Sequence, residues 1–274
     1  MTGPPDEPRA APVRIALGIE YNGSCFNGWQ SQKSPNAVTV QETLEQVLSG
    51  IADHPVSLAC AGRTDTGVHA TAQVVHFETP HPRPEKAWLM GANSMLPDTV
   101  SIRWARQASD DFHARFSATA RRYRYVIYNN PLKPAILNGL VTRHHFPLNA
   151  DAMHEAAQAL LGENDFSSYR GAACQSSTPM RFVEEIRVNR RKDFVCIDIQ
   201  ANAFLLHMVR NIAGVLIDIG EGRKPATWAG DLLDLRDRTQ GGVTAPPHGL
   251  YLVSVRYPEE FLVPVDPVYP PFGL

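Results

Sequence analysis

The chain has 274 residues and a mass of 30.2 kDa, which suits one large domain or two modest ones. Hydrophobic residues make up 43% and charged residues 20%, enough apolar material for a core without metal or disulfide staples, so a peptide-sized or globally disordered chain is excluded. A formal net charge of -2 speaks against a polyanionic partner, but charge is unevenly distributed. Between residues 101 and 124 six arginines face two aspartates, and between 170 and 192 five arginines and one lysine face two glutamates. Such concentration is how a phosphate-binding face is built, and a general arginine preference on solvated strands also produces it.

No basic run followed by an apolar stretch opens the chain, and no segment approaches the roughly 20 apolar residues that span a bilayer, so a soluble, cytoplasmic protein is expected. Cys25, Cys60, Cys174 and Cys196 are far apart and read as reduced thiols, neither a zinc site nor a redox pair.

In chain order, residues 1–12 read as an N-terminal tail. Alternation predicts a strand over 13–21, and an apolar stripe of Val40, Leu44, Val47, Leu48 and Ile51 predicts a helix over 39–51. Strands follow at 56–60 and 73–77, then a helix from Pro84 to Met95 and an exposed strand over 99–107. The order recurs in the second part: a strand at 121–128, a helix over 151–161 capped by Asn149, strands at 185–190 and 194–200, a helix over 204–219 and a last strand near 250–255. Two halves, 13–112 and 113–257, are expected to share one sheet with a cleft where they meet, in a mixed α+β or α/β architecture. Residues 258–274, rich in proline, read as a tail or surface-draped segment.

Glycine-rich phosphate loops, dinucleotide-binding turns, zinc-protease helices and nucleophile elbows are all missing from the sequence, and the ten histidines show no metal-ligand spacing. One loop stands apart: Gly62-Arg63-Thr64-Asp65-Thr66-Gly67. Its glycines permit tight backbone, so Asp65 is either an apical reactive carboxylate with Arg63 on the same side, or the anchor of an ordinary Asp-Thr-Gly turn. On the helix over 204–219, Arg210 falls inside an apolar stripe, with His207, Asn211 and Asp218 as a narrow polar edge. A buried guanidinium needs an anion; Asp65 is one candidate, and pairing with Asp218 or escape to water is the other reading. In Arg121-Arg122-Tyr123-Arg124-Tyr125, alternation puts Arg122 and Arg124 on one face and the tyrosines on the other, a pairing of cations and rings that suits RNA and also suits a core strand.

Taken with Gly28-Trp29-Gln30, Asp165-Phe166-Ser167-Ser168-Tyr169, Met208-Val209-Arg210-Asn211 and His248-Gly249-Leu250-Tyr251, these segments make the sequence resemble the bacterial tRNA pseudouridine synthase A family, roughly from Val13 to Tyr257. Thr66 replaces the family's usual alanine and Ala72 its frequent glycine. The resemblance implies an α+β fold with a mixed, mostly antiparallel central sheet flanked by helices. It also implies cofactor-independent, metal-free isomerisation of uridine to pseudouridine in the anticodon stem-loop of tRNA, at positions 38, 39 and 40, by a homodimer. Asp65 would be the essential residue, as nucleophile at ribose C1′ or as base at C2′. Tyr123 would stack on the uracil and serve as base at C5, and Arg210 would pair with Asp65. Arg63 would help displace the nucleotide from its stack, Leu250 would line the pocket, and Arg121 and Arg122 would belong to the basic tRNA-gripping surface. The rival readings are a non-catalytic tRNA-binding protein or chaperone on the same scaffold, and a nucleoside or glycoside hydrolase, for which paired carboxylates would be usual.

Overall fold

Apolar residues on both faces of Val13–Tyr21 make it an interior strand, β1, and the computed structural model, which describes residues 11–34 and 36–272, builds its main sheet around it. The predicted tail over 1–12 lies almost wholly outside the described residues. Thr39 caps α1 (Val40–Ala52), its hydroxyl accepting the Glu42 N–H, as a side-chain oxygen does at an N-cap. The predicted strand over 56–60 shrinks to β2 (Ala59–Cys60), because Val56 and Leu58 donate their N–H groups at 2.8 Å to Ser49 Oγ and Glu45 Oε1 of α1 instead of to a neighbouring strand. β3 (His69–Thr79) is longer than expected. A helical stretch over 85–93, containing a π turn at Ala87–Gly91, leads to β4 (Val100–Ala108).

The second part repeats the order with β5 (Ala120–Asn129), α2 (Ala150–Ala157, capped by Asn149), β8 (Met180–Arg191), β9 (Phe194–Ala201), α3 (Met208–Gly220) and β10 (Leu250–Arg256). Three elements were not predicted: β6 (Thr142–His144), β7 (Gly162–Asp165) and α4 (Trp228–Leu235), the last despite an apolar stripe of Ala229, Leu232 and Leu233. The first two are three and four residues long, and β7 is Gly-Glu-Asn-Asp, which has no apolar alternation to read.

The strands form one ten-stranded sheet, β4-β1-β3-β10-β5-β9-β8-β7, with β2 added on β3 and β6 on β5. Every pairing is antiparallel except β5–β6 and the joint between the two parts, where β3 and β10 run parallel and only Tyr251 meets His69 and Leu252 meets Ala70. The fold is therefore α+β, with a mostly antiparallel sheet. The helices cover one face and bury the main core, which includes Leu44, Trp88, Tyr125 and Ile212. Alternation along β5 sends Val126 to the opposite face, into a smaller cluster with Cys196, Tyr251 and Val253. Of the segment after β10, Phe261 packs on Phe112 of the main core, whereas residues 265–272 lie along the opposite face: Val268 donates its N–H to Val253 O at 2.9 Å, and Phe272 packs against Phe194 and Tyr251.

Candidate active site

The loop over 61–68 joins β2 to β3 at the end of the sheet where β10 begins. Its stem is held by buried Gln73, whose side-chain N–H donates to Gly62 O at 2.6 Å and whose carbonyl oxygen accepts the Gly62 N–H at 3.3 Å. Neighbouring backbone then clamps it. Trp29 N–H donates to Thr64 O at 3.0 Å, and a Cβ on Gly28, whose φ is +93°, would lie 2.9 Å from that same carbonyl. A Cβ on Gly23 would lie 1.9 Å from Val68 O. Tyr21 and Thr64 share a hydroxyl–hydroxyl hydrogen bond of 2.8 Å beneath the loop. His69, at the loop's end, accepts the Gly23 N–H at 3.0 Å on Nδ1, and its Nε2 lies 3.1 Å from His248 O. Burial lowers the His69 pKa from 6.5 to about 4, so the ring is neutral at pH 7. With Nδ1 accepting, Nε2 carries the proton and donates to His248.

Asp65 thus sits at the tip of a backbone held from several sides. Arg210 approaches from α3, its Nη1 donating to Asp65 Oδ2 at 3.0 Å, while its Nε donates to Ala245 O at 2.9 Å. The two residues are 145 positions apart in the chain and come from opposite parts of the sheet. α3 is sheathed in core residues, yet Arg210 itself is only partly buried, its side chain 14% exposed at the cleft wall. Asp218, the competing partner, pairs with Arg223. Next to Arg210, the segment 243–246 presses so closely on the helix that a Cβ on Gly214 would lie 1.9 Å from Val243 O. Asn211, read from sequence as polar edge, is buried and ties this segment in, donating to Tyr169 O at 2.7 Å and accepting from Thr244 Oγ1 at 2.7 Å.

A cleft of ≈ 540 Å3 opens over Asp65, lined among others by Asn27, Trp29, Gln30, Arg63, His207 and Arg210. Arg63 is exposed and has no carboxylate partner among the described residues. Tyr123, on β5, is buried with its hydroxyl near Gly62 and its ring edge-on to Phe204, the centroids 5.1 Å apart. Burial raises its phenol well above the ordinary value; the Arg121 charge opposes the shift and the Asp65 charge adds to it. The group is therefore a protonated ring at neutral pH. Leu250 and Leu252 stand opposite Tyr125 and Tyr123 across the β5–β10 ladder, on the same face as the cleft.

The two arginines expected on a gripping surface part company. Arg121 turns to the site side and donates to the carbonyls of Ala61, Ala118 and Asn202 at 3.0 to 3.1 Å, bracing the loop stem. Arg122 faces the other side of the sheet, where it pairs with Glu185 and donates from Nε to Gln200 Oε1 at 2.9 Å, so it takes no part in the cleft. Arg124 is likewise neutralised by Asp198 through two 2.8 Å bonds. The alternation along β5 had already separated 121 from 122; grouping them by charge alone ignored it.

Sequence reasoning passed over His207 as part of a helical edge. The helix starts only at Met208, because the preceding residues bond elsewhere: Gly171 N–H donates to Leu206 O at 2.8 Å, and Leu206 N–H reaches Cys174 Sγ at 3.5 Å. His207 takes the left-handed conformation, with φ at 60°, and its Nε2 lies 3.4 Å from Asp65 Oδ2.

Comparison with known proteins decides the lineage. The family described as tRNA pseudouridine synthase matches residues 18–117 and 156–258. The chain belongs to that family. Among its relatives, tRNA pseudouridine synthase A of Shewanella sp. (strain MR-4) is 57% identical over 96% of this chain and 100% of its own length. The proteins of the same name from Pseudoalteromonas atlantica and Actinobacillus succinogenes are 56% and 55% identical, over 92% and 95% of this chain and 95% and 98% of their own. Among the described residues no group of three or more His, Cys, Asp or Glu side chains could hold a metal ion, and no helix is long and apolar enough to cross a membrane.

Proposed function

We propose that this chain isomerises uridine to pseudouridine in tRNA, with Asp65 as the reacting group. The observation that carries the reading is the convergence of Asp65 and Arg210 across the joint of the sheet, in an open cleft whose walls are otherwise neutral amides, rings and one free guanidinium. A charge-assisted hydrogen bond from Arg210 stabilises the carboxylate's negative charge and fixes its orientation, while the clamped loop keeps it from swinging away. A binding-only protein has no need of such a pair, and a hydrolase would want a second carboxylate, which the cleft wall lacks among the described residues.

The target base has to leave its stack to reach the carboxylate, at a cost of a few kcal/mol that cleft contacts offset. Arg63 is suited to hold a phosphate at the mouth. Tyr123, kept protonated by burial, supplies an apolar ring for the flipped uracil; service as a base at C5 would require the phenol to pass its own proton to another acceptor as it takes the one from C5. Leu250 extends the apolar floor. Once the C1′–N1 bond breaks, the uracil turns within the cleft and rejoins through C5, which then gives up its proton. By the family's pattern the substrate is the anticodon stem-loop at positions 38, 39 and 40, the working form a homodimer and the place of action the cytoplasm.

The test is tritium release from anticodon stem-loop RNA labelled at uridine C5. Wild-type protein is expected to release tritium to water, and Asp65→Asn to do so at least roughly 1,000-fold more slowly. Equal rates would end the catalytic reading.

A further inference from the structure

Two nitrogen groups reach the same oxygen of Asp65. Arg210 Nη1 donates to Oδ2 at 3.0 Å, and His207 Nε2 lies 3.4 Å from that atom, in ion-pair range without closing a hydrogen bond, while Oδ1 has no hydrogen-bond partner among the described residues. The imidazole is not there by drift. Its residue is one of five non-glycine residues among those described with positive φ, a conformation uncommon for a side chain with a Cβ, although histidine enters it more readily than most. The surroundings that hold it are visible: both backbone groups of Leu206 are bonded to the 171–174 segment, and the ring lies so close to Gly171 that a Cβ there would sit 3.1 Å from His207 Nδ1. Backbone thus aims Nε2 at Asp65 from one side as α3 aims Arg210 from another.

We propose that His207 is a positioning residue which, with Arg210, commits Oδ2 of Asp65 and so leaves Oδ1 as the oxygen that meets the ribose. The inference rests on the reading of Asp65 as the reacting group. A carboxylate held by one donor rotates about its Cβ–Cγ bond and presents either oxygen; one held on Oδ2 from two directions presents only the other. What an imidazole can offer the carboxylate from that place is an N–H on Nε2, and the proposal turns on that N–H rather than on the ring's shape.

The experiment compares His207→Phe, which keeps a ring without nitrogen, with His207→Gln, whose amide N–H reaches the place of Nε2, in single-turnover and steady-state tritium release beside wild type and Asp65→Asn. His207→Phe is expected to lose about 10- to 100-fold in kcat with KM nearly unchanged, and His207→Gln to regain most of it. Full activity in His207→Phe, or an equal loss in both variants, would overturn the assignment. A second measurement needs no change at His207: the imidazole Nε2 resonance should move between wild type and Asp65→Asn, and a resonance that stays put would likewise overturn it. If instead Asp65→Asn keeps wild-type turnover, the proposed function fails first and the His207 assignment fails with it.

Discussion

Each part of the sheet opens the connection between its last two strands with a helix, the stretch over 85–93 in the first and α3 in the second, and these two could hardly differ more. The stretch over 85–93 buries Trp88 and Ala92 and leaves most of its other residues partly or fully open to solvent. α3 buries eleven of its thirteen residues and is gripped by the 243–246 segment on one side and the core on the other. The first part supplies the carboxylate on a loop, and the second supplies the arginine on a helix that cannot shift. A pair across two parts is only as well placed as its less rigid member. Here both supports are stiff, one through clamped backbone and the other through burial.

The sharpest way to break this comparison is Arg210→Ala, expected to lower kcat by about a thousandfold or more and, by orphaning Ala245 O, to cost roughly 1 to 3 kcal/mol of stability. Activity assays beside thermal melts decide it, and a variant normal in both would show that the pair is incidental. Next comes a matched pair of glycines. Gly214→Ala forces a Cβ to within 1.9 Å of Val243 O and should destabilise by about 2 to 4 kcal/mol, whereas Gly91→Ala, in the counterpart helix, meets nothing nearer than Ile51 at 3.7 Å and should be neutral or slightly stabilising. Urea unfolding of both variants measures the difference, and similar losses in the two would mean the helices are equally constrained.

A smaller effect concerns pH. Because folding depresses the His69 pKa from 6.5 to about 4, the unfolded chain binds its proton first, and stability is fully present above pH 6.5 and falls as pH drops toward 4. The loss amounts to about 3 kcal/mol at the acid end, and burial likewise brings His76 to about 4, so it adds its own share. His69→Gln should flatten part of the slope between melts at pH 7 and pH 5, and an unchanged slope would assign it elsewhere. Smallest is Arg122→Gln. Since Arg122 is paired on the far face, KM for RNA should stay within about twofold, at a cost of at most about 1 kcal/mol, because Glu185 loses one partner and keeps Arg187 at 2.8 Å. A large rise in KM would restore it to the RNA surface.

What the sequence revealed follows the reach of its signals. Apolar patterning found α1, β1 and β5 nearly to the residue, the helix by its buried stripe and the two strands as interior runs, and it found α2 with its start right and its end four residues too far. It overran at α3, where Leu206 bonds to the 171–174 segment, and at the strand before β2, where α1 side chains take the N–H groups. Neither kind of contact leaves a mark on apolar periodicity. Asp65, Arg210 and Tyr123 stood out through glycine placement, burial argument and strand alternation. His207 did not, for nothing in a polar residue at a helix's start tells that its backbone turns left-handed.

The parallel joint between β3 and β10 has one further consequence. Its two paired positions, His69 and Ala70 against Tyr251 and Leu252, begin four residues beyond Asp65. A force that prised the two wings of the sheet apart would register at the carboxylate before it reached the well-laddered interior of either wing. Turnover should fail while both wings remain folded, and the seam, rather than the core, sets the limit of working strength.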